Sequence, residues 1–178
     1  MSTDYEKFVP PQLRQLVDCL IVQARIKVEL DGFLAPVAFV GQFDKDGVVA
    51  EVVVCGGLGN LSKDEGTRRV RNLAKEHNAD FVLWIDEAWM KQFTTHSIDE
   101  AQRKVAEVGG EVRDMPGRVD VVMFVLETHL GIFFANPVRE DAKDSQGGYT
   151  FGAVEFGRPN HAEGQFAGVL PSRDARGQ

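Results

Sequence analysis

The predicted β-strands of this 178-residue chain are almost continuously apolar, instead of alternating between apolar and polar residues. The clearest examples are the runs Val48–Cys55, Phe81–Ile85 and Ile132–Ala135. A strand with one face in water shows alternation, whereas a strand that is covered on both faces does not. The chain is therefore expected to fold around a sheet that is shielded on both sides.

Three segments repeat apolar residues at the helical period and are predicted to be helices, of which the first two are expected to cover that sheet. They run from Pro11 to Leu30, from Ser62 to His77 and from Ser97 to Val108. Short, hairpin-like connections join most of the strands, which favours antiparallel pairing. The predicted class is α/β (α+β), with a mixed or mainly antiparallel central sheet flanked by helices in the order α-β-β-α-β-α-β-β-β.

The length suits one domain, which we place at residues 1–156. Within it, residues 137–148 are expected to form a polar loop, and Tyr149–Phe156 is the last predicted strand. Residues 157–178 are rich in Pro, Gly, Asn and Arg and are predicted to be a polar C-terminal tail. Its apolar residues could dock on the body or on a partner; they are Phe166, Val169 and Leu170.

Charge and composition exclude several settings. A net charge of −7 and a pI near 5.1 oppose broad nucleic-acid binding, which needs a positive field over the phosphates. No apolar run approaches the roughly 18 residues of a membrane helix, and the N-terminus lacks a signal-peptide pattern. Cys19 and Cys55 lie in apolar surroundings, as free cysteines do in reducing compartments. We expect a cytoplasmic protein with no membrane or nucleic-acid partner.

The first helix carries two apolar stripes on different sides. One follows the ordinary helical period, and the other consists of Cys19, Val22, Ile26 and Leu30. A helix that is apolar over so wide an arc is either sandwiched inside the protein or covered by another subunit. The preferred interpretation is an internal sandwich, and the alternative is a homodimer contact through the second stripe.

A glycine-rich turn, Gly56-Gly57-Leu58-Gly59-Asn60, separates the second strand from a basic helix. A helix start offers free N–H groups, and glycines let a ligand approach the backbone, so this layout can hold an anion. Lys63 and Arg68 could add positive charge. The turn lacks the complete Gly-x-Gly-x-x-Gly and Gly-Lys-Ser/Thr fingerprints, so a plain strand-to-helix connection is the preferred interpretation and a ligand site is the alternative.

Two acidic residues, Asp86 and Glu87, follow the buried strand Phe81–Ile85. Adjacent acids at a strand end could bind a cation or transfer protons. Alternation along a strand would point their side chains to opposite faces, and a strand end turning into solvent, with Trp89 packed as an anchor, is the simpler interpretation. The histidines are scattered and no metal-ligand spacing occurs, so no metal or cofactor is predicted.

Several blocks of the chain resemble a group of small uncharacterised bacterial and phage proteins. They are Asp31–Val40 followed by Asp46-Gly47-Val48, Arg68–Asp80 followed by Val82–Trp89, and Pro116–Asp120 followed by Leu126–Thr128. The resemblance covers about Asp31 to Pro137. It implies a single α/β domain and a bacterial or phage setting, and it brings no activity and no catalytic residue with it.

These observations lead to two main hypotheses about function. Because no complete catalytic or metal set is present, the first is a non-enzymatic binding or regulatory protein that self-associates. The alternative is an enzyme acting on an anionic, phosphate-bearing small molecule at Gly56–Asn60. In that enzyme Lys63 or Arg68 would balance the charge of the substrate, and Asp86 or Glu87 would transfer protons. A third possibility is an acidic surface that blocks a nucleic-acid-binding partner.

Overall fold

A computed structural model describes residues 3–91, 97–110, 112–142, 148–158 and 168–171 of the chain. In none of the described helices do length and hydropathy together reach what crossing a lipid bilayer requires. The helices are α1 (Asp4–Phe8), α2 (Pro11–Asp31), α3 (Lys63–Glu76) and α4 (Ile98–Glu107), with short 3₁₀ turns at Leu58–Asn60 and Val112–Asp114. The strands are β1 (Val37–Phe43), β2 (Val49–Cys55), β3 (Phe81–Met90), β4 (Val119–Thr128), β5 (Gly131–Ala135), β6 (Arg139–Asp141) and β7 (Tyr149–Phe151).

Five strands form one antiparallel sheet in the order β2-β1-β3-β4-β5. β3 and β4 are its longest pair and stay in register from Phe81 opposite Thr128 to Met90 opposite Val119. The predicted class, helices around a mainly antiparallel sheet, is confirmed. The predicted order lacked α1 and β6. β6 gives no apolar signal, because it consists of three exposed polar residues inside the predicted loop. β6 and β7 pair in a separate ribbon, and β7 ends well before the predicted strand does.

Each face of the sheet carries its own layer of apolar side chains. In β3, Phe81 and Leu83 belong to a core that they share with α2, whereas Val82 and Trp84 belong to a core that they share with α3. Successive strand residues point to opposite faces, so only an unbroken apolar run can serve both cores. This arrangement confirms the expectation of a sheet that is shielded on both sides.

Local sequence signals set the ends of the two long helices. Pro11 occupies the first turn of α2, where its missing N–H costs nothing, and Gly32 ends the helix with a left-handed φ of 73°. The Ser62 side chain accepts from the Glu65 N–H, and the Glu65 carboxylate accepts from the Ser62 N–H at 2.9 Å. This capping box starts α3. The predicted bounds of both helices therefore hold to within one residue.

Residues 168–171 lie against the α3 side of the sheet. Val169 is fully buried there, and its N–H donates to the Glu127 carboxylate at 2.9 Å. The Leu170 N–H donates to the same carboxylate at 3.2 Å. Burial raises the pKa of Glu127, while these two donors and the charge of Arg71 oppose the rise. This part of the predicted tail docks on the body of the protein, and Phe166 lies outside the described residues.

Replacing Val169 with alanine is expected to lower the free energy of unfolding by about 1–2 kcal/mol, because two buried carbon atoms are lost from the core. Urea unfolding measures the change. The exposed Val138 provides a matched control, since Val138→Ala should change stability by less than about 0.5 kcal/mol. Equal stability of the two variants would contradict the docking of residues 168–171.

Candidate functional site

The predicted glycine-rich turn lies on the surface between β2 and α3. Gly56, Gly59 and Asn60 are exposed, and Gly57 adopts a left-handed φ of 70°. A β-carbon at Gly59 would stand 3.3 Å from the Pro36 ring, so this turn packs closely against the segment that leads into β1. The left-handed backbone thus favours glycine at position 57, and a β-carbon at position 59 would require the Pro36 ring to shift slightly.

Arg68 lines an open groove between β2 and α3, which we call the arginine groove. Its volume is about 520 Å³, and Arg69 and Cys55 also line it. Cys55 is buried, and burial raises the pKa of its thiol while the charge of Arg69 opposes the rise. A thiol with a raised pKa stays protonated at neutral pH and is a poor nucleophile.

Asp86 and Glu87 line a different cavity, which we call the β3-edge pocket. β1 begins at Val37, opposite Ile85, so β3 continues to Met90 with no neighbour on that side among the described strands. The pocket touches this unpaired part of β3 and has a volume of about 260 Å³. Its lining consists of Leu34, Pro36, Asp86, Glu87, Ala88, Trp89, Asp120, Val121, Arg139 and Tyr149.

Glu87 is held in place by two donors from distant parts of the chain. The Tyr149 hydroxyl donates to its carboxylate, and the Leu34 N–H donates to the same oxygen at 3.2 Å. Tyr149 is only 1% exposed, and the Arg139 guanidinium carbon lies 3.8 Å from the centre of its ring. Burial and the contact with Glu87 raise the pKa of Tyr149, so the hydroxyl keeps its proton and remains a donor.

Asp86 lies on the α3 side of the strand and is partly withdrawn from water. Burial raises its pKa to about 6, and the negative charge of Glu87 adds to this effect. The Glu87 N–H, which donates to the Asp86 carboxylate at 2.8 Å, and the positive charge of Lys63 act in the opposite direction. Asp86 therefore changes protonation close to neutral pH, as proton-transferring and ligand-binding carboxylates do.

The predicted site residues are thus divided among three places, one of which is the surface turn Gly56–Asn60. Arg68 lies in the arginine groove, whereas Asp86 and Glu87 lie in the β3-edge pocket with Lys63 close enough to influence Asp86. The two acids line one pocket although alternation along β3 points their side chains to opposite faces. Trp89, expected to be a packed anchor, is instead 50% exposed beside this pocket.

Sequence reasoning missed Tyr149, Arg139 and Leu34 as parts of this pocket. Tyr149 was predicted only as a strand residue, and Arg139 only as part of a polar loop. The one available signal was a tyrosine at the start of a short apolar run, since a buried tyrosine usually needs a partner for its hydroxyl. That signal does not identify Glu87, which lies 62 residues earlier in the chain.

The second apolar stripe of α2, Cys19, Val22, Ile26 and Leu30, lies on the outside of the molecule, and we call it the outer stripe. Val22, Ile26 and Leu30 are 53%, 43% and 78% exposed, and Cys19 is exposed as well. The opposite side of α2, with Leu13, Val17, Ala24 and Val28, is buried against the sheet. The preferred interpretation of an internal sandwich for this helix is therefore wrong, because only one of its stripes faces the core.

Within the described ranges, no three His, Cys, Asp or Glu side chains are grouped so as to hold a metal ion. The chemistry that the β3-edge pocket offers is that of three carboxylates, a tyrosine hydroxyl, a guanidinium and an indole. No protein-family model, no curated protein and no solved structure matches the chain.

Proposed function

We propose that this chain is a non-enzymatic binding or regulatory protein of bacterial or phage origin that self-associates through the outer stripe of α2. The observation that carries the proposal is the exposure of Val22, Ile26 and Leu30 on one side of a helix whose other side is fully packed. The expected origin rests on the sequence blocks between Asp31 and Pro137 described above.

The geometry of the outer stripe suits a contact between two copies. Residues 19, 22, 26 and 30 follow one another at intervals of three and four, so they form one line about 17 Å long on the helix surface. Burying apolar surface of this kind in an interface stabilises the association by roughly 25 cal/mol for each Å² removed from water. A two-fold axis brings the same patch of each copy together, and α2 can therefore pair with itself.

Replacing Ile26 with glutamate is expected to raise the dissociation constant of the self-associated form about tenfold or more. A carboxylate in the middle of the outer stripe would have to lose its water without gaining a partner. Sedimentation equilibrium over a range of protein concentrations measures this constant for the unmodified chain and for the variant.

Gln102→Glu serves as the matched control, because Gln102 is an exposed helical residue on α4 and the change adds the same charge. This control should associate like the unmodified chain. Two results would argue against the proposal: an unmodified chain that remains monomeric throughout, or an equal loss of association in both variants.

The alternative, an enzyme acting on an anionic small molecule, receives less support from the geometry. That hypothesis needs cations and proton-transferring acids around one cavity. Arg68 and the two acids instead line separate cavities, and the one that holds Asp86 and Glu87 is also lined by Asp120. The three carboxylates outnumber the two cations, Arg139 in the lining and Lys63 nearby, so the pocket disfavours an anionic substrate.

A further inference from the structure

The β3-edge pocket lies at the unpaired end of β3 and reaches across this strand to β4. Four consecutive residues of β3, from Asp86 to Trp89, line it, together with Asp120 and Val121 of β4. Successive side chains of a strand point to opposite sides, so a cavity that all four β3 residues line also touches the backbone between them. Backbone N–H and C=O groups on an open strand edge can pair with a ligand or with another chain.

The side chains around this edge favour a positive ligand. Three carboxylates, those of Asp86, Glu87 and Asp120, line the pocket together with one guanidinium, that of Arg139. The Arg139 guanidinium lies over the buried Tyr149 ring. The Glu87 carboxylate already accepts two hydrogen bonds, which fixes its position without neutralising its charge.

The pocket also has an aromatic and apolar wall. Trp89 is half exposed at its margin, and the Arg118 guanidinium carbon lies 5.8 Å from the centre of its ring. Leu34, Pro36 and Val121 line the rest. An indole face attracts organic cations, and apolar walls accept the carbon chain that carries the charge. A volume of about 260 Å³ is smaller than most drug-sized sites and suits a ligand of one side chain or less.

We infer that the β3-edge pocket binds an organic cation, a guanidinium or alkylammonium group carried on a short apolar chain. Asp86 and Glu87 accept hydrogen bonds from the cation, and Trp89 covers its apolar part. The cation comes either from a free small molecule or from a basic side chain of an extended peptide that pairs with the open edge of β3. This inference goes beyond the proposed self-association and does not depend on the outer stripe.

Binding is expected to depend on pH through Asp86. Burial raises the pKa of this carboxyl to about 6, and a bound cation favours its ionised form. Affinity should therefore rise as the pH increases through about 6, and fall below it. The charged groups that act on Asp86 are Glu87 on the same strand and Lys63 on α3. Asp120 and Arg139 line the same pocket. Since Lys63 partly balances Asp86, Lys63→Met should strengthen binding.

Isothermal titration calorimetry of the full chain with butylguanidinium tests the inference. At pH 7.5 we expect saturable binding that weakens at least tenfold in Asp86→Asn and in Glu87→Gln. Glu155→Gln, which removes an exposed carboxylate outside the pocket, should bind like the unmodified chain. Between pH 5 and 7.5 the affinity of the unmodified chain should rise, while that of Asp86→Asn should stay nearly constant.

A second titration with a capped Ala-Arg-Ala peptide distinguishes the two sources of the cation. Equal affinity for peptide and butylguanidinium assigns the pocket to a free cation, and an affinity at least tenfold higher for the peptide assigns it to pairing along the strand edge. Either result supports the site. The inference would be overturned if neither probe bound saturably, or if Asp86→Asn and Glu87→Gln left the binding unchanged. Ile26→Glu should bind both probes normally, which separates this test from that of self-association.

Discussion

Replacing Gly41 with alanine is expected to lower the free energy of unfolding by about 2–3 kcal/mol. Gly41 lies in the middle of β1, opposite Phe81 of β3. A β-carbon at this position would overlap the Phe81 ring, which is fully buried, and would stand 2.9 Å from the backbone oxygen of Glu51. The ring can move only by displacing its neighbours in the core, and the backbone oxygen belongs to the adjacent strand. The methyl group must therefore distort the sheet.

Guanidinium unfolding measured by far-UV circular dichroism gives the size of this effect. Gly56→Ala is the matched control, since no atom lies within 4 Å of a β-carbon at Gly56 and its backbone is not left-handed. This control should change stability by less than about 0.5 kcal/mol. If Gly41→Ala proved as stable as Gly56→Ala, the close contact between β1 and the Phe81 ring would be refuted.

Replacing Asp86 with asparagine is expected to raise the free energy of unfolding by about 2 kcal/mol at pH 7.5. Folding raises the pKa of this carboxyl from 3.8 to about 6, so the native state holds the proton more tightly than the unfolded chain does. The full cost of ionising it at high pH is about 3 kcal/mol, and its partial contact with water reduces this value. Asparagine carries no charge to desolvate and keeps an oxygen that can accept from the Glu87 N–H.

The stabilising effect of Asp86→Asn is expected to appear only at higher pH. A raised native pKa contributes stability that is present below about pH 4 and is lost as the pH rises through about 6. The stabilities of the two proteins should therefore converge near pH 4 and separate above pH 6. Urea unfolding at pH 4.5 and 7.5 tests this, and a difference that is the same at both pH values would show that Asp86 is not desolvated in the native state.

Much of the fold could be predicted from the sequence because the decisive signals are local. The unbroken apolar run Phe81–Ile85 indicates a doubly covered strand, and Ser62 with Glu65 indicates the start of α3. β6 could not be predicted in this way, since three exposed polar residues form a strand only because β7 pairs with them. The internal-sandwich interpretation of α2 failed for a related reason. A sequence shows that two stripes are apolar, but which one is buried depends on where the sheet lies.

The candidate site was predictable only in part. Asp86 and Glu87 stood out because acids follow a buried strand, and both line a cavity. The partners of Glu87 come from Leu34 and Tyr149, which lie 53 and 62 residues away along the chain. The part of β3 that lines the pocket is unpaired on one side because β1 begins opposite Ile85, which is a matter of strand register. Register is fixed by packing across the whole sheet and is not written in any short motif.

The measurement that bears most directly on self-association through α2 is the rate at which the Cys19 thiol reacts with a disulfide reagent, followed as a function of protein concentration. Cys19 belongs to the outer stripe and is exposed in a single chain, whereas Cys55 is buried. We predict fast labelling of Cys19 in dilute protein and at least tenfold slower labelling at about 100 μM, with Cys55 slow at every concentration. A Cys19 rate that stays the same over this range would contradict an interface at the outer stripe.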